Sequence, residues 1–219
     1  MNMFEFLQRT PAGLLRFGDV TRVAGHLRGG GLVVLPTETG HLLGAIATDL
    51  TAVRKVFTAK GRPASNPVHV ACSSLAMAGR WAALDDVAVD LLSRFTPGPL
   101  TVVVPARGLP GELVTLNGTV GVRVPDHPAT LQVVELLGVP ITATSLNRSG
   151  EESLPLDHGT LETLGWPSGE QVLVLEHDEA ITEPSASTLV RVSADGLEVL
   201  RKGPIELDQG RQASGAAPR

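Results

Sequence analysis

Apolar residues along this chain follow two periodicities in alternation. Val20, Val23, Ala24 and Leu27 recur at i, i+3, i+4 and i+7, which is one face of a helix. Asp19 or Thr21 is available as its cap, and Gly29-Gly30-Gly31 as its stop. Leu32 to Leu35 is an unbroken aliphatic run that predicts a strand covered on both faces, with a loop beginning at Pro36. After Asp49 the helical spacing returns in Ala52, Val53, Val56 and Phe57. It ends near Lys60-Gly61-Arg62-Pro63, because glycine and proline do not continue a helix. A basic loop therefore follows a helix directly.

Val68 to Ala71 predicts a strand, residues from about 74 to 94 two short helices, and Leu100 to Val104 and Val120 to Val124 two further buried strands. Pro128 opens a helix through Leu131, Val134 and Leu137 that Gly138 closes. Ile141 to Ala143, Val172 to Leu175, Thr188 to Val192 and Leu197 to Leu200 complete the strands. The last two are joined by Ser193-Ala194-Asp195-Gly196, a hairpin signal. Strands alternating with helices and ending in a hairpin predict an α/β fold on a mixed sheet. Residues 1–206 read as one domain, and 207–219 carry almost no apolar bulk and are expected to form a disordered tail.

Composition narrows the function classes. With 42% hydrophobic and 19% charged residues the chain is of the folded kind, and 219 residues suit one domain. A net charge of −5 excludes a globally basic nucleic-acid binder but allows a local basic patch. Cys72 is the sole cysteine, so an intrachain disulfide and CxxC motifs are excluded and a reducing cytoplasm fits. Glu5 interrupts the N-terminal apolar run, so an export signal is not expected. The uncharged stretch from Pro63 to Gly79 is broken by Asn66, His69 and serines, so no membrane association is expected. The sequence has no GxxxxGK[ST], GxGxxG or GxSxG motif, and its six histidines form no HxH or HxxxH pair, which leaves no metal ligands to nominate.

What remains is a set of polar loops, each expected at the end of a buried strand, where α/β sheets present ligand sites. Pro36-Thr37-Glu38-Thr39 offers two hydroxyls and a carboxylate to orient a small polar substrate, or is a plain turn. Lys60-Gly61-Arg62 puts two cations on one loop, either a phosphate clamp or a solvated pair. Thr144-Ser145-Leu146-Asn147-Arg148-Ser149-Gly150 is dense in hydroxyls and amide, suited to phosphate or ribose, and is equally an ordinary turn. Ser187-Thr188 and Arg201 lie at opposite ends of the last hairpin and share one cleft if the strands pair in register. His41, after Thr39, is a candidate base or a plain hydrogen-bonding group.

Taken in order, seven segments resemble the YrdC family of threonylcarbamoyl-AMP synthases, from about Asp19 to Gly203. They are Pro36-Thr37-Glu38-Thr39 with Leu43-Gly44-Ala45, Lys60-Gly61-Arg62-Pro63 with Asn66-Pro67, and Phe95-Thr96-Pro97-Gly98-Pro99-Leu100-Thr101. Thr119-Val120-Gly121-Val122-Arg123-Val124-Pro125, Ser145 to Gly150, Ser187-Thr188-Leu189-Val190 and Leu200-Arg201-Lys202-Gly203 follow. The family's alanine between the serine and asparagine of the 145–147 loop is Leu146 here, expected to be absorbed in the core. The family's Val-Tyr-Gly-Leu-Gly after Thr39 is Gly40-His41-Leu42-Leu43-Gly44, and many members carry histidine at the position of Ala71.

The resemblance implies a single-domain YrdC-like fold, a twisted mixed sheet flanked by helices with a concave basic cleft. It implies a nucleotidyltransferase that makes threonylcarbamoyl-AMP and pyrophosphate from L-threonine, bicarbonate or CO2, and ATP. That is the first half of N6-threonylcarbamoyladenosine formation on tRNA, linked to separate threonylcarbamoyl transfer proteins. By position, Lys60, Arg62, Ser145 and Asn147 match the reacting group at the nucleotide, with Asn66, Thr119, Ser153 and Arg201 as further ATP contacts. Thr39, Arg123 and Ser187 match the positions that hold threonine. Lys60 and Arg62 are expected to stand exposed in the cleft, and Mg2+ to accompany ATP without a dedicated protein cage. Two other functions fit the same resemblance: a YrdC/YciO-like binder of tRNA or double-stranded RNA without synthase activity, and a carbamoyl-adenylate enzyme with another substrate.

Overall fold

The computed structural model describes residues 3–151, 156–175, 185–193 and 196–207. In chain order, β1 (Phe4–Leu7) leads to α1 (Phe17–Arg28), β2 (Leu32–Thr37) and β3 (Gly40–Gly44). Next come α2 (Leu50–Lys60), β4 (His69–Ala71), α3 (Leu75–Trp81), α4 (Asp86–Phe95), β5 (Leu100–Pro105) and β6 (Thr119–Arg123). They are followed by α5 (Pro128–Leu137), β7 (Ile141–Ser145), α6 (His158–Glu162), β8 (Val172–Leu175), β9 (Thr188–Ser193) and β10 (Gly196–Arg201). The strands share one sheet in the order β1-β8-β2-β3-β7-β4-β6-β5-β9-β10. β8 pairs in parallel with β1 and β2, β4 with β6, and β5 with β9, while the remaining neighbours are antiparallel. The mixed sheet predicted from the alternation of elements is the one observed.

The helices form where apolar periodicity and capping agree. The Asp49 carboxylate accepts the N–H groups of Thr51 and Ala52 at the start of α2. At its end Gly61 takes φ +58°, so the N–H of Arg62 returns to the Phe57 carbonyl and that of Gly61 to Thr58. Ser74 and Asp85 cap α3 and α4 in the same way. α1 buries Val20, Val23, Ala24 and Leu27 as predicted, but it begins at Phe17 after Arg16 and has no side-chain cap. Asp19 instead sits in its first turn, and the Thr21 hydroxyl donates back to the Phe17 carbonyl.

Four local expectations change. The loop expected from Pro36 is absent: β2 runs on through Thr37 and turns at Glu38-Thr39 into β3, with Thr37 opposite Gly40. Pro36 is tolerated there because pairing with β8 ends at Val34↔Val174, so no ladder bond is lost. Thr144 and Ser145 belong to β7, opposite Leu43 and Leu42. β1, which the sequence reading left unassigned, is parallel to β8 from Phe4↔Val172 to Leu7↔Leu175. Leu207 packs against the core instead of belonging with the tail, and 208–219 lie outside the described residues.

The core sits on β2 and β8, buried at every position, with α1, α2 and α5 against β2. Leu146 is absorbed into it, at 2% exposure. β9 and β10 pair from Ser193↔Gly196 as the hairpin signal predicts, although Ala194 and Asp195 at its tip lie outside the described residues. Among the described residues no helix is long and apolar enough to cross a membrane.

Candidate functional site

Period-2 alternation and cross-strand register assemble the floor of the site. The pairs Leu42↔Ser145, His69↔Ala143 and Thr101↔Arg123 put these side chains on one face of the sheet, across β3, β7, β4, β6 and β5. Gly121, two residues before Arg123 on that face, leaves room for the His69 ring. A Cβ at 121 would stand 2.5 Å from the ring Cδ2. This floor underlies an inner cavity of about 120 Å3, walled by Thr37, Thr39, Ser187, Arg62, Arg123 and Arg201. An outer cavity of about 580 Å3 adjoins it, lined by Lys60, Asn66, Asn147, Ser149 and Glu151. Arg62, Ser145, Ala186 and Arg201 line both.

The expectation that Lys60 stands exposed is corrected: it is 1% exposed. Its position on α2 continues the apolar face of Val53, Val56 and Phe57, which turns the last residue of the helix inward. The ammonium donates to the carbonyls of Ser145 and Asn147 and, at 3.2 Å, to Asn147 Oδ1. Asn147 Oδ1 also accepts from the Ser145 hydroxyl, and its amide donates to the carbonyls of Arg148 and Glu151 at 2.9 and 2.6 Å. The Ser149 N–H donates to the Lys60 carbonyl at 2.9 Å, so α2 and the 145–151 loop hold each other. Lys60 thus shapes the loop that lines the outer cavity.

Arg62 is half-buried and spans both cavities. Its Nε and Nη2 donate to the carbonyls of Asn66 and Pro67 at 2.6 and 2.9 Å and to Asn66 Oδ1 at 2.9 Å, fixing the guanidinium. Arg201 donates from Nε and Nη2 to the Ser187 carbonyl at 3.1 and 2.9 Å, and the Ser187 hydroxyl shares a 2.7 Å hydrogen bond with Thr101. Behind them Gly203 lies so close to residues 186–188 that a Cβ would fall 2.4 Å from the Thr188 nitrogen. Only glycine allows that approach. Arg123 Nη2 donates to Glu38 Oε1 at 2.8 Å and to Thr39 Oγ1 at 2.7 Å.

These cations repel one another. Burial, then Arg62, lowers the Lys60 pKa to about 7. Burial, then Arg201, lowers that of Arg62, and burial, then Arg123, lowers that of Arg201. Burial, followed by Arg201, Arg62 and Arg123, holds His69 down at about 3, so its imidazole is neutral. Among the described residues Arg123 alone of the four cations has a carboxylate partner, Glu38. A row of cations with so little internal compensation favours anionic ligands.

The structure therefore brings Thr39, Arg62, Arg123, Ser145, Ser187 and Arg201 to one cavity and Lys60, Asn66 and Asn147 to its neighbour. Thr119 stands apart. It is on the face of β6 that carries Arg123, four residues back beyond His69, and its hydroxyl donates to the Leu116 carbonyl at 2.7 Å. Ser153 lies outside the described residues. Of the two readings of the 36–39 segment, Thr37 and Thr39 line the inner cavity, while Glu38 does not and sits in the turn. Thr101 was missed; a hydroxyl inside an otherwise aliphatic strand, 1% exposed, was the available signal. His41 does line the inner cavity, on β3 rather than in a loop.

The profile of the Sua5, YciO and YrdC proteins, whose description reads telomere recombination, matches residues 26–203. Threonylcarbamoyl-AMP synthases of Pyrococcus abyssi and Bacillus subtilis are 42% and 38% identical over 64% and 62% of this chain. The matches span 42% and 40% of those two proteins, so this chain corresponds to about two fifths of their length. A putative threonylcarbamoyl-AMP synthase of Mycobacterium tuberculosis is 33% identical over 89% of this chain and 88% of its own. Among solved structures, P. abyssi Sua5 complexed with L-threonine superposes with a TM-score of 0.79 at 32% identity, over 92% of this chain and 58% of that one. E. coli YciO superposes with a TM-score of 0.80 at 22% identity, over 94% and 98%, which bears on the fold alone.

Proposed function

This chain belongs to the Sua5/YciO/YrdC family, and from that premise we propose that it makes threonylcarbamoyl-AMP and pyrophosphate from L-threonine, bicarbonate or CO2, and ATP. The observation that carries the reading is the pair of adjoining cavities with Arg62 and Arg201 in their common wall. The inner one suits an amino acid: its hydroxyls and Arg123 match a zwitterion with a polar side chain, and a relative has been solved with L-threonine. The outer one suits a nucleotide, with Arg62, Arg201 and Ser149 offered to phosphate oxygens and the buried Lys60 charge held behind the loop.

In the reaction the neutral amine of threonine attacks the carbon of CO2 and loses a proton, giving a carbamate. A carbamate oxygen then attacks the α-phosphorus of ATP, and the bond from that phosphorus to the bridging oxygen breaks to release pyrophosphate. Two anions must meet, and Arg62 and Arg201 stand in the wall between them. Positioning and charge compensation by fixed groups account for such a transfer without a covalent enzyme intermediate. Among the described residues no group of His, Cys, Asp and Glu is arranged to hold a metal, and Glu151 is the one carboxylate of the outer cavity. That donor set fits Mg2+ held chiefly by ATP and water; bound so, it would offset phosphate charge. The product is an activated carbamoyl ester, which we assign to transfer onto tRNA adenosine by partner proteins in the cytoplasm.

Pyrophosphate release tests this reading. It is expected only when ATP, Mg2+, L-threonine and bicarbonate are all present; release without threonine would mean another acceptor or plain hydrolysis.

Lys60 adds a pH signature. Its folded pKa of about 7 lies below its ordinary 10.5, so the cost of burying the charge is fully present below pH 7 and is relieved as pH rises toward 10.5. Lys60 therefore makes the ligand-free fold more stable across that window. The same loss of a proton weakens the phosphate site, so ATP affinity falls as pH rises through 7. Thermal melts and ATP titrations at pH 6.5 and 8.5 are expected to move in opposite directions in the wild type, with both trends reduced in Lys60→Met.

A further inference from the structure

The turn between β2 and β3 contains a carboxylate that faces neither cavity. Both Glu38 oxygens are taken by protein: Oε1 accepts from Arg123 Nη2 at 2.8 Å, and Oε2 from the backbone N–H of Asp126 at 2.8 Å. The pair is largely shielded, with side-chain exposures of 19% for Glu38 and 11% for Arg123. The second proton of Nη2 goes to Thr39 Oγ1, which is itself held by Thr37 Oγ1, the acceptor of the Thr39 N–H. Nη2 is thus fully committed, while Nε is buried without a partner and Nη1 has none among the described residues.

We infer that Glu38 is a positioning residue: by bridging Arg123 to the segment after β6, it sets the orientation in which Arg123 meets the substrate carboxylate. This rests on the reading of the inner cavity as the amino-acid site. A guanidinium on a long side chain loses rotamer freedom when it binds an anion, and a side chain already fixed loses less. Glu38 fixes it from the side away from the ligand, through a charge-assisted bond, and leaves Nη1 and Nε uncommitted. Its charge also compensates Arg123 alone, so Arg62 and Arg201 keep theirs for the reacting anions. The inner cavity's described lining has no carboxylate of its own, which keeps the bridge out of competition with the ligand.

The test is a double-mutant cycle read by direct titration of L-threonine and by steady-state kinetics. Wild type, Glu38→Ala, Glu38→Gln, Arg123→Ala and Glu38→Ala/Arg123→Ala are compared. Glu38→Ala is expected to raise the threonine Kd and KM on the order of tenfold, with the loss on KM and not on kcat at saturating threonine. Glu38→Gln, which keeps the shape of the turn, is expected to show a smaller rise, since its amide oxygen can still accept from Nη2. In the Arg123→Ala background the Glu38 change is expected to add nothing further. An equal rise in both backgrounds would mean that Glu38 acts only through the turn, and unchanged affinity in both single Glu38 variants would mean no role; either overturns the inference while Arg123→Ala remains impaired. Wild-type affinity in Arg123→Ala itself would overturn the amino-acid reading of the cavity, and the inference with it.

Discussion

Replacing Lys60 by alanine is expected to lower both stability and turnover, and the two losses have separate causes. The ammonium holds three oxygens of the 145–147 loop, and among the described residues the Asn147 carbonyl has no other donor, while Asn147 Oδ1 keeps the Ser145 hydroxyl and the Ser145 carbonyl keeps the Asn147 N–H. Its removal loosens the loop and leaves a gap at the end of α2. Loss of hydrogen bonds to a charged group amounts to about 2 kcal/mol and is offset by relief from burying the charge, so the gap left by the lysine stem sets the net loss. The thermal midpoint should fall by a few degrees, more at pH 8.5 than at pH 6.5, because less charge is relieved there. Turnover should drop further, by about a hundredfold, because Ser145 and Asn147 lose the geometry with which they face the outer cavity and the site loses a cation. Lys60→Met, which refills the volume, should recover part of the stability and little of the rate. Wild-type kcat/KM in a folded Lys60→Ala protein would contradict this account of the loop.

Arg62→Ala is expected to do the converse: a large kinetic loss with a small change in stability. The side chain is only half-buried, and its three hydrogen bonds reach the adjacent 66–67 segment rather than the core. Yet it lines both cavities, at the point where the carbamate and the α-phosphate would meet. A fixed cation at that point contributes most where negative charge builds up, so kcat/KM should fall by about a hundredfold to a thousandfold. Arg62→Lys keeps the charge but cannot hold Asn66 and reach the ligand at once, so it should restore little. A melting curve beside the kinetics checks both halves; a folded variant with a lowered thermal midpoint but wild-type kcat/KM would contradict the assignment.

Much of the fold could be read from local pattern. α2 announces itself by period, cap and terminating glycine, α5 by period, opening proline and terminating glycine, and β2 and β8 by aliphatic runs that suit a doubly covered strand. The failures share a cause, which is that the deciding partner is distant in sequence. β1 exists because β8 pairs with it, and nothing within Phe4–Leu7 discloses Val172–Leu175. Gly40–Gly44, rich in glycine, looks like a loop until β2 and β7 flank it.

The site divides in the same way. Motif order was enough to list Arg62, Arg123, Ser145, Ser187 and Arg201 together; sheet register explains why Arg123 and Ser145 share a face, and the end of α2 and the Arg201–Ser187 bonds bring in the others. Lys60 was misjudged because lysine is usually exposed, although its spacing from Val53, Val56 and Phe57 already pointed inward. Glu38 could not be assigned from the turn alone, because its partner, Arg123, lies 85 residues away.

Mass spectrometry of the product formed from ATP, Mg2+, L-threonine and 13C-bicarbonate separates synthesis from hydrolysis. Threonylcarbamoyl-AMP carrying the added mass of one labelled carbon is expected, formed together with pyrophosphate and absent when threonine is omitted. AMP and pyrophosphate without a labelled adduct, or an adduct indifferent to bicarbonate, would contradict the synthase reading.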